Sequence, residues 1–187
     1  MTLPELSFGA CIFLGLLVLT VPLPWVGAAL GAAAFHELCH ILTIYALGGR
    51  IYGLSLKARG AGIRMSPMSR GKELLAAAAG PAGSFLLLGL RHSCPRLALC
   101  GLIQGSFNLL PIYPMDGGRI LHCLLSLILP DEKAAGLCRL AEWGFLCVLS
   151  FFLLRQPGTG GLFFLGLLLF RIFHVKFPCK DRISRVQ

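Results

Sequence analysis

The sequence predicts an all-α polytopic membrane protein: a single membrane-embedded domain over 1–187 with about six transmembrane helices. Three observations carry that expectation. Of the 187 residues, 56% are hydrophobic and only 13% are charged, whereas soluble domains carry about 25% charged residues. Apolar runs long enough to cross a bilayer recur at about 6–21, 25–48, 74–90, 97–129, 134–154 and 161–177, the fourth interrupted by prolines. The basic residues gather at the ends of these runs, so the net charge of +9 reports membrane topology. No aromatic and basic residues interleave into a base-stacking platform, which excludes a nucleic-acid partner.

The first run lacks a basic n-region, and Pro22 and Pro24 lead straight into the next run, so it reads as a retained helix, not a cleaved signal peptide. Gly9 and Gly15 suit it to close helix packing. In the second run the small residues of 27–34 let neighbouring helices approach. They are followed by Phe35-His36-Glu37-Leu38-Cys39-His40-Ile41, which sets two imidazoles and a carboxylate inside an apolar helix, where such groups are costly. Residues four apart share a helix face, so His36 and His40 can hold one metal ion, with Glu37 placed to act on a water beside it. This is the HExxH arrangement of zinc hydrolases; the bland alternative is a fortuitous pair of core histidines. His36 lies about 18 Å along the helix from Gly48, so the metal would be membrane-embedded yet on a path from that end.

The 50–67 segment is neither apolar enough to span nor long enough for a domain. Ile51, Leu54, Leu56, Ile63 and Met65, broken at Gly60-Ala61-Gly62, fit either two short strands with a turn or a plain loop. The third run contains Ala79-Gly80-Pro81-Ala82-Gly83-Ser84, an interruption that a membrane helix tolerates as a kink. Nothing in the sequence identifies which polar groups support the two histidines.

The fourth run is broken by Pro111 and Pro114 inside Asn108-Leu109-Leu110-Pro111-Ile112-Tyr113-Pro114-Met115-Asp116-Gly117-Gly118-Arg119. Prolines free backbone carbonyls and glycines permit close approach, so irregular backbone here should line a cavity instead of facing lipid. Of the eight acidic residues, Glu37, Asp116 and Glu142 lie away from segment ends. Asp116 is the natural third zinc ligand, because two neutral imidazoles and one carboxylate leave a fourth position for water. His122 and Glu142 stand as alternatives.

Arg50, Lys57, Arg59, Arg64, Arg70 and Lys72 lie between the second and third runs, and Lys180, Arg182 and Arg185 follow the last; the other side offers only Arg91, Arg96 and Arg155. The positive-inside rule therefore puts both termini and the 50–72 loop in the cytosol of a multi-pass cell-membrane protein. The eight cysteines lack CxxC spacing and mostly fall in apolar runs, which reads as small buried hydrophobes with no disulfide framework. Cys39, between the histidines, is a candidate thiolate ligand, although it sits one residue off the ligand-bearing stripe.

These residues resemble the site-2 protease family of intramembrane zinc metalloproteases, and within it the small bacterial branch that includes the sporulation factor IVB protease. The resemblance covers about 25–129, the core of the domain. It rests on His36-Glu37-Leu38-Cys39-His40, on the Gly80-Pro81 element, and on Asn108 to Gly118, which matches the family's NxxPxxPxDGG element. The resemblance implies zinc held by His36, His40 and Asp116, Glu37 as catalytic acid/base, and Asn108 contacting substrate. It also implies a membrane-associated β-hairpin after the HExxH helix. The chain departs from the family pattern at Cys39, where a small residue is usual, and at Ser84, where Asn is common. It also ends at Gln187 without the appended regulatory modules of other branches.

The expected function is hydrolysis of peptide bonds in transmembrane or membrane-tethered proteins, including a transcription-factor precursor in regulated intramembrane proteolysis, with a membrane partner restraining the enzyme. A helical substrate hides its peptide bonds, so it must unwind; pairing as an added strand on the 51–65 hairpin would present it extended. The rival classes are a metal or ion transporter with a midplane site and a catalytically silent homologue that binds membrane helices.

Overall fold

The computed structural model describes residues 5–6, 18–57 and 60–155. In chain order they form β1 (Glu5–Leu6), α1 (Leu23–Ala46), β2 (Ile51–Lys57) and β3 (Gly60–Met65), then α2 (Arg70–Leu86) running into a 3-10 turn at Leu87–Leu90. α3 (Pro95–Asn108), α4 (Asp116–Leu125) and α5 (Asp131–Leu154) complete the order. The chain divides into two compact units, Met1–Leu110 and Pro111–Gln187.

Three helices among the described residues are long and apolar enough to cross a membrane: Leu23–Ala46, Arg70–Leu90 and Asp131–Phe152. The 24 residues of α1 reach about 36 Å, which exceeds the ~30 Å of a hydrocarbon core. The expected fourth span is instead two helices of 14 and 10 residues, because Pro111 and Pro114 cannot continue a helical ladder. Most of the expected first span and all of the last fall outside the described residues.

In the first unit α1 packs against α2 and α3, and α2 packs against α3. The face of α1 that does so recurs every four residues, burying Ala32, His36, His40 and Ile44, while Leu30, Leu38 and Leu42 on its other faces stay exposed. Helical periodicity thus puts both histidines on the packed side. Ala32, in the small-residue run of α1, is fully buried, and glycine on α2 also lets the two helices come close. A Cβ on Gly27 would meet nothing within 4 Å, whereas one on Gly83 would collide with Cys39 Sγ.

The end of α1 is fixed by backbone chemistry. Gly48 takes φ of +79°, Gly48 N donates to the Tyr45 carbonyl at 3.0 Å, and Gly49 N donates to the Ile44 carbonyl at 2.8 Å. That is the paired closure in which a glycine in left-handed conformation satisfies the last carbonyls of a helix. A further free carbonyl, that of Leu47, accepts from Lys72 Nζ at 2.8 Å. The start of α2 is thereby tied to the end of α1.

Residues 51–57 and 60–65 form two antiparallel strands, with Lys57 opposite Gly60 and Ile51 opposite Met65. Gly60 to Gly62, expected to make the turn, belong to β3. Ser66 N donates to the Arg50 carbonyl at 2.8 Å and closes the base of the hairpin. β1 pairs in parallel with the other side of β2, Glu5 opposite Ser55 and Leu6 opposite Leu56. β2 is therefore the central strand, and β3 carries an edge with no partner among the described strands.

In the second unit α4 packs against α5. The segment before α4 turns back on it, Met115 N donating to the Ile112 carbonyl at 2.9 Å. A Cβ on Gly118 would stand 2.8 Å from Ile112 C and Tyr113 N, so only glycine lets this backbone lie on the helix.

Candidate metal centre

His36 and His40 follow one another on the buried face of α1, and their Nε2 atoms approach to 3.1 Å. Their Nδ1 atoms point apart, and α2 engages each. His40 Nδ1 donates to the Ala76 carbonyl at 2.6 Å, so the Nε2 of neutral His40 presents a lone pair, because a carbonyl can only accept. His36 Nδ1 lies 2.8 Å from Ser84 Oγ. Between these two anchors stands Gly80. A Cβ there would fall on His40 Nε2 and within 2.7 Å of His36 Nε2.

Ala76, Gly80 and Ser84 are spaced four apart and form one stripe of α2, all buried. Each does something different for the histidines: a carbonyl at 76, no side chain at 80, a hydroxyl at 84. Pro81 contributes by having no N–H for the Ala77 carbonyl, which loosens the ladder in the same turn. The sequence flagged this stretch as a kink and, through the resemblance, marked Gly80-Pro81 and Ser84, but tied none of them to the histidines. The legible signal was a four-residue spacing of small residues ending in a lone serine within an apolar helix.

Two nitrogens of a tetrahedral zinc site, each about 2.0–2.1 Å from the metal, stand about 3.3 Å apart. The 3.1 Å between the Nε2 atoms is close to the spacing that two ligands of one ion would need. The buried imidazole pair suits a divalent metal with nitrogen ligands, zinc foremost. Such sites bind through one ring nitrogen while the other is held by an oxygen, and both histidines have that partner here.

The other sequence-predicted residues take definite places. Glu37 is half-buried on α1 beside His36. Cys39 is drawn into helix packing, its Sγ seated where Gly83 leaves room. Asn108 ends α3 and donates from Nδ2 to the Gln104 carbonyl at 3.1 Å. Asp116 belongs to the second unit, where it is buried as the first residue of α4 and lies 3.9 Å from Arg119 Nη1. The positive end of the α4 dipole favours a carboxylate there. His122 on α4 and Glu142 on α5 are half-buried. Cysteines 39, 94, 100, 123, 138 and 147 are all free thiols; Cys123 and Cys138 are buried, but Cys94 and Cys147 are exposed, against the expectation of burial.

No family model matches the chain. Over 109 residues it is 31% identical to a zinc metalloprotease of Methanocaldococcus jannaschii; the match covers 51% of this chain and 32% of that relative, so the chain spans about a third of its length. Among solved structures, the site-2 protease from Methanocaldococcus jannaschii superposes with a TM-score of 0.64 at 22% identity, covering 100% of this chain and 94% of that one. The fold is thus that of a site-2 protease, in a mostly helical chain with helices fit to span a membrane. Neither protein is named as a transporter, so the rival ion-transport reading gains nothing from them.

Proposed function

We propose that this chain, which carries the likeness of the site-2 protease family in both sequence and fold, is an intramembrane zinc metalloprotease that cleaves transmembrane or membrane-tethered proteins. The observation that carries the reading is the pair of buried imidazoles with Nε2 atoms 3.1 Å apart and both Nδ1 atoms secured by α2. His36 and His40 would hold the ion with Asp116 as the third ligand, all three being buried.

Zinc, when bound, supplies Lewis acidity toward the scissile carbonyl and toward water. The rest of the work falls to side chains. Glu37 takes a proton from the attacking water and returns it to the leaving amine. Its place one residue from His36 would put it beside a bound ion without making it a ligand. Asn108 ends α3 just before the proline-broken segment, a position from which it would contact an extended substrate. The apolar helices exclude bulk water, which strengthens each of these interactions.

Presentation of an extended substrate falls to β3, whose outer edge has no described partner. Leu54 and Leu56 lie on the central strand, so a substrate strand would pair with β3 and not with them. Regulated proteolysis of a membrane-tethered transcription-factor precursor, and a membrane partner that restrains it, fit this reading. The charge pattern supports a cytosolic 50–72 loop.

The test is co-expression with candidate single-span precursors, comparing wild type with Glu37→Gln. Cleavage by the wild type and none by the variant, with zinc retained in both, is the expected result. Equal cleavage by Glu37→Gln refutes the assignment of the acid/base.

A further inference from the structure

We propose that Ser84 is the positioning residue that fixes His36 as a metal ligand, and that two glycines of α3 exist to seat it. The inference rests on the zinc reading above and deepens it. Ser84 has 0% of its surface exposed, and its Oγ lies 2.8 Å from His36 Nδ1. A hydroxyl both donates and accepts. It can therefore hold the His36 ring whether Nδ1 bears a proton, as it must when neutral His36 ligates through Nε2, or lacks one. His40 is held differently, since the Ala76 carbonyl admits only the Nδ1–H form. The ring orientation of His36 thus has a side-chain hydroxyl at its Nδ1.

The packing behind Ser84 points the same way. On α3, a Cβ at Gly101 would stand 2.7 Å from the Ser84 carbonyl oxygen, and a Cβ at Gly105 would stand 3.0 Å from Ser84 Cβ. The first contact is closer than a real Cβ sustains and the second would force the neighbour to give by a few tenths of an ångström, so the close approach of α3 to α2 at Ser84 is served by glycine twice, four residues apart. The serine is pressed between the histidine in front and glycine backbone behind, which leaves its hydroxyl no slack to drift from Nδ1.

The experiment compares full-length protein in detergent at position 84 in two pairs of equal shape. Wild type is set against Ser84→Ala, and Ser84→Thr against Ser84→Val, so that any crowding by the added methyl cancels within the second pair. Zinc affinity is measured by competition with a chromophoric chelator, and the melting temperature of the chelator-stripped protein is measured beside it. Loss of the hydroxyl should weaken zinc binding by about 10–100-fold within each pair, with the melting temperatures of the stripped proteins matched within each pair. Equal affinities within both pairs overturn the inference, as does an affinity loss that merely follows a fall in melting temperature. His36→Ala serves as the reference. If it binds zinc like the wild type, the zinc reading itself fails; if it loses zinc while Ser84→Ala does not, only the role of Ser84 fails.

Discussion

Gly80→Ala is the most informative single perturbation of the site, because it adds one methyl group between the two rings. The new Cβ would fall on His40 Nε2 and sit 2.5 Å from His40 Cε1 and 2.7 Å from His36 Nε2. Carbon and nitrogen in ordinary contact stand about 3.5 Å apart, so α2 must retreat or the rings must swing by more than about 1 Å. Metal sites tolerate errors of only about 0.2 Å in ligand distance, and a displacement near 1 Å in a catalytic group costs about 100-fold in rate. The packing penalty alone is of order 1–3 kcal/mol, which a folded membrane domain survives. The expected result is a protein of wild-type helicity by circular dichroism that binds zinc at reduced stoichiometry by elemental analysis and cleaves at least about 100-fold more slowly. Wild-type zinc content together with wild-type cleavage in Gly80→Ala would refute the placement of the metal against α2.

Other expectations follow from the same geometry. His36→Ala, His40→Ala and Asp116→Ala should each strongly reduce bound zinc, measured by elemental analysis, because a three-ligand site loses chelation when one arm goes; full zinc in Asp116→Ala with loss in His122→Ala or Glu142→Ala would move the third ligand. Gly83→Ala should destabilise by about 1–3 kcal/mol, since its methyl collides with Cys39 Sγ, and Cys39→Ala should recover part of that loss in the double variant, read by thermal unfolding as a coupling energy. Of Ile63→Pro and Arg64→Pro on β3, one removes a backbone donor from the open edge, and it should slow cleavage with zinc content unchanged; full activity in both would exclude strand pairing there. An impermeant maleimide should label the native, exposed Cys94 from outside the cell and Gly71→Cys, where the added side chain meets nothing within 4 Å, from the cytosol; the reverse would invert the topology.

The parts of this molecule legible in the sequence are those governed by periodicity and by costly residues. Two histidines four apart in an apolar run announce a helix face and a metal, and the structure sets their Nε2 atoms 3.1 Å apart. The broken fourth span was equally legible, since proline in a helix has few outcomes. What was not legible depended on pairing between distant elements. Ala76, Gly80 and Ser84 share a four-residue spacing, but a carbonyl, a missing side chain and a hydroxyl do not point to a pair of histidines until α1 is laid against them. The pairing of β1 with β2 likewise hung on a two-residue match across some fifty positions, too short to read. Gly60 to Gly62 were expected to make a turn but belong to β3, because glycine marks turns more often than edge strands.

The measurement that tests the central claim most directly is metal removal and return on the purified protein with one membrane-tethered substrate. Cleavage should vanish on stripping with a strong chelator and return when about one equivalent of zinc is restored to wild type. Glu37→Gln should rebind the zinc and remain inactive. Cleavage that persists in stripped protein, or that returns in Glu37→Gln along with the metal, would contradict an enzyme built on His36, His40 and Glu37.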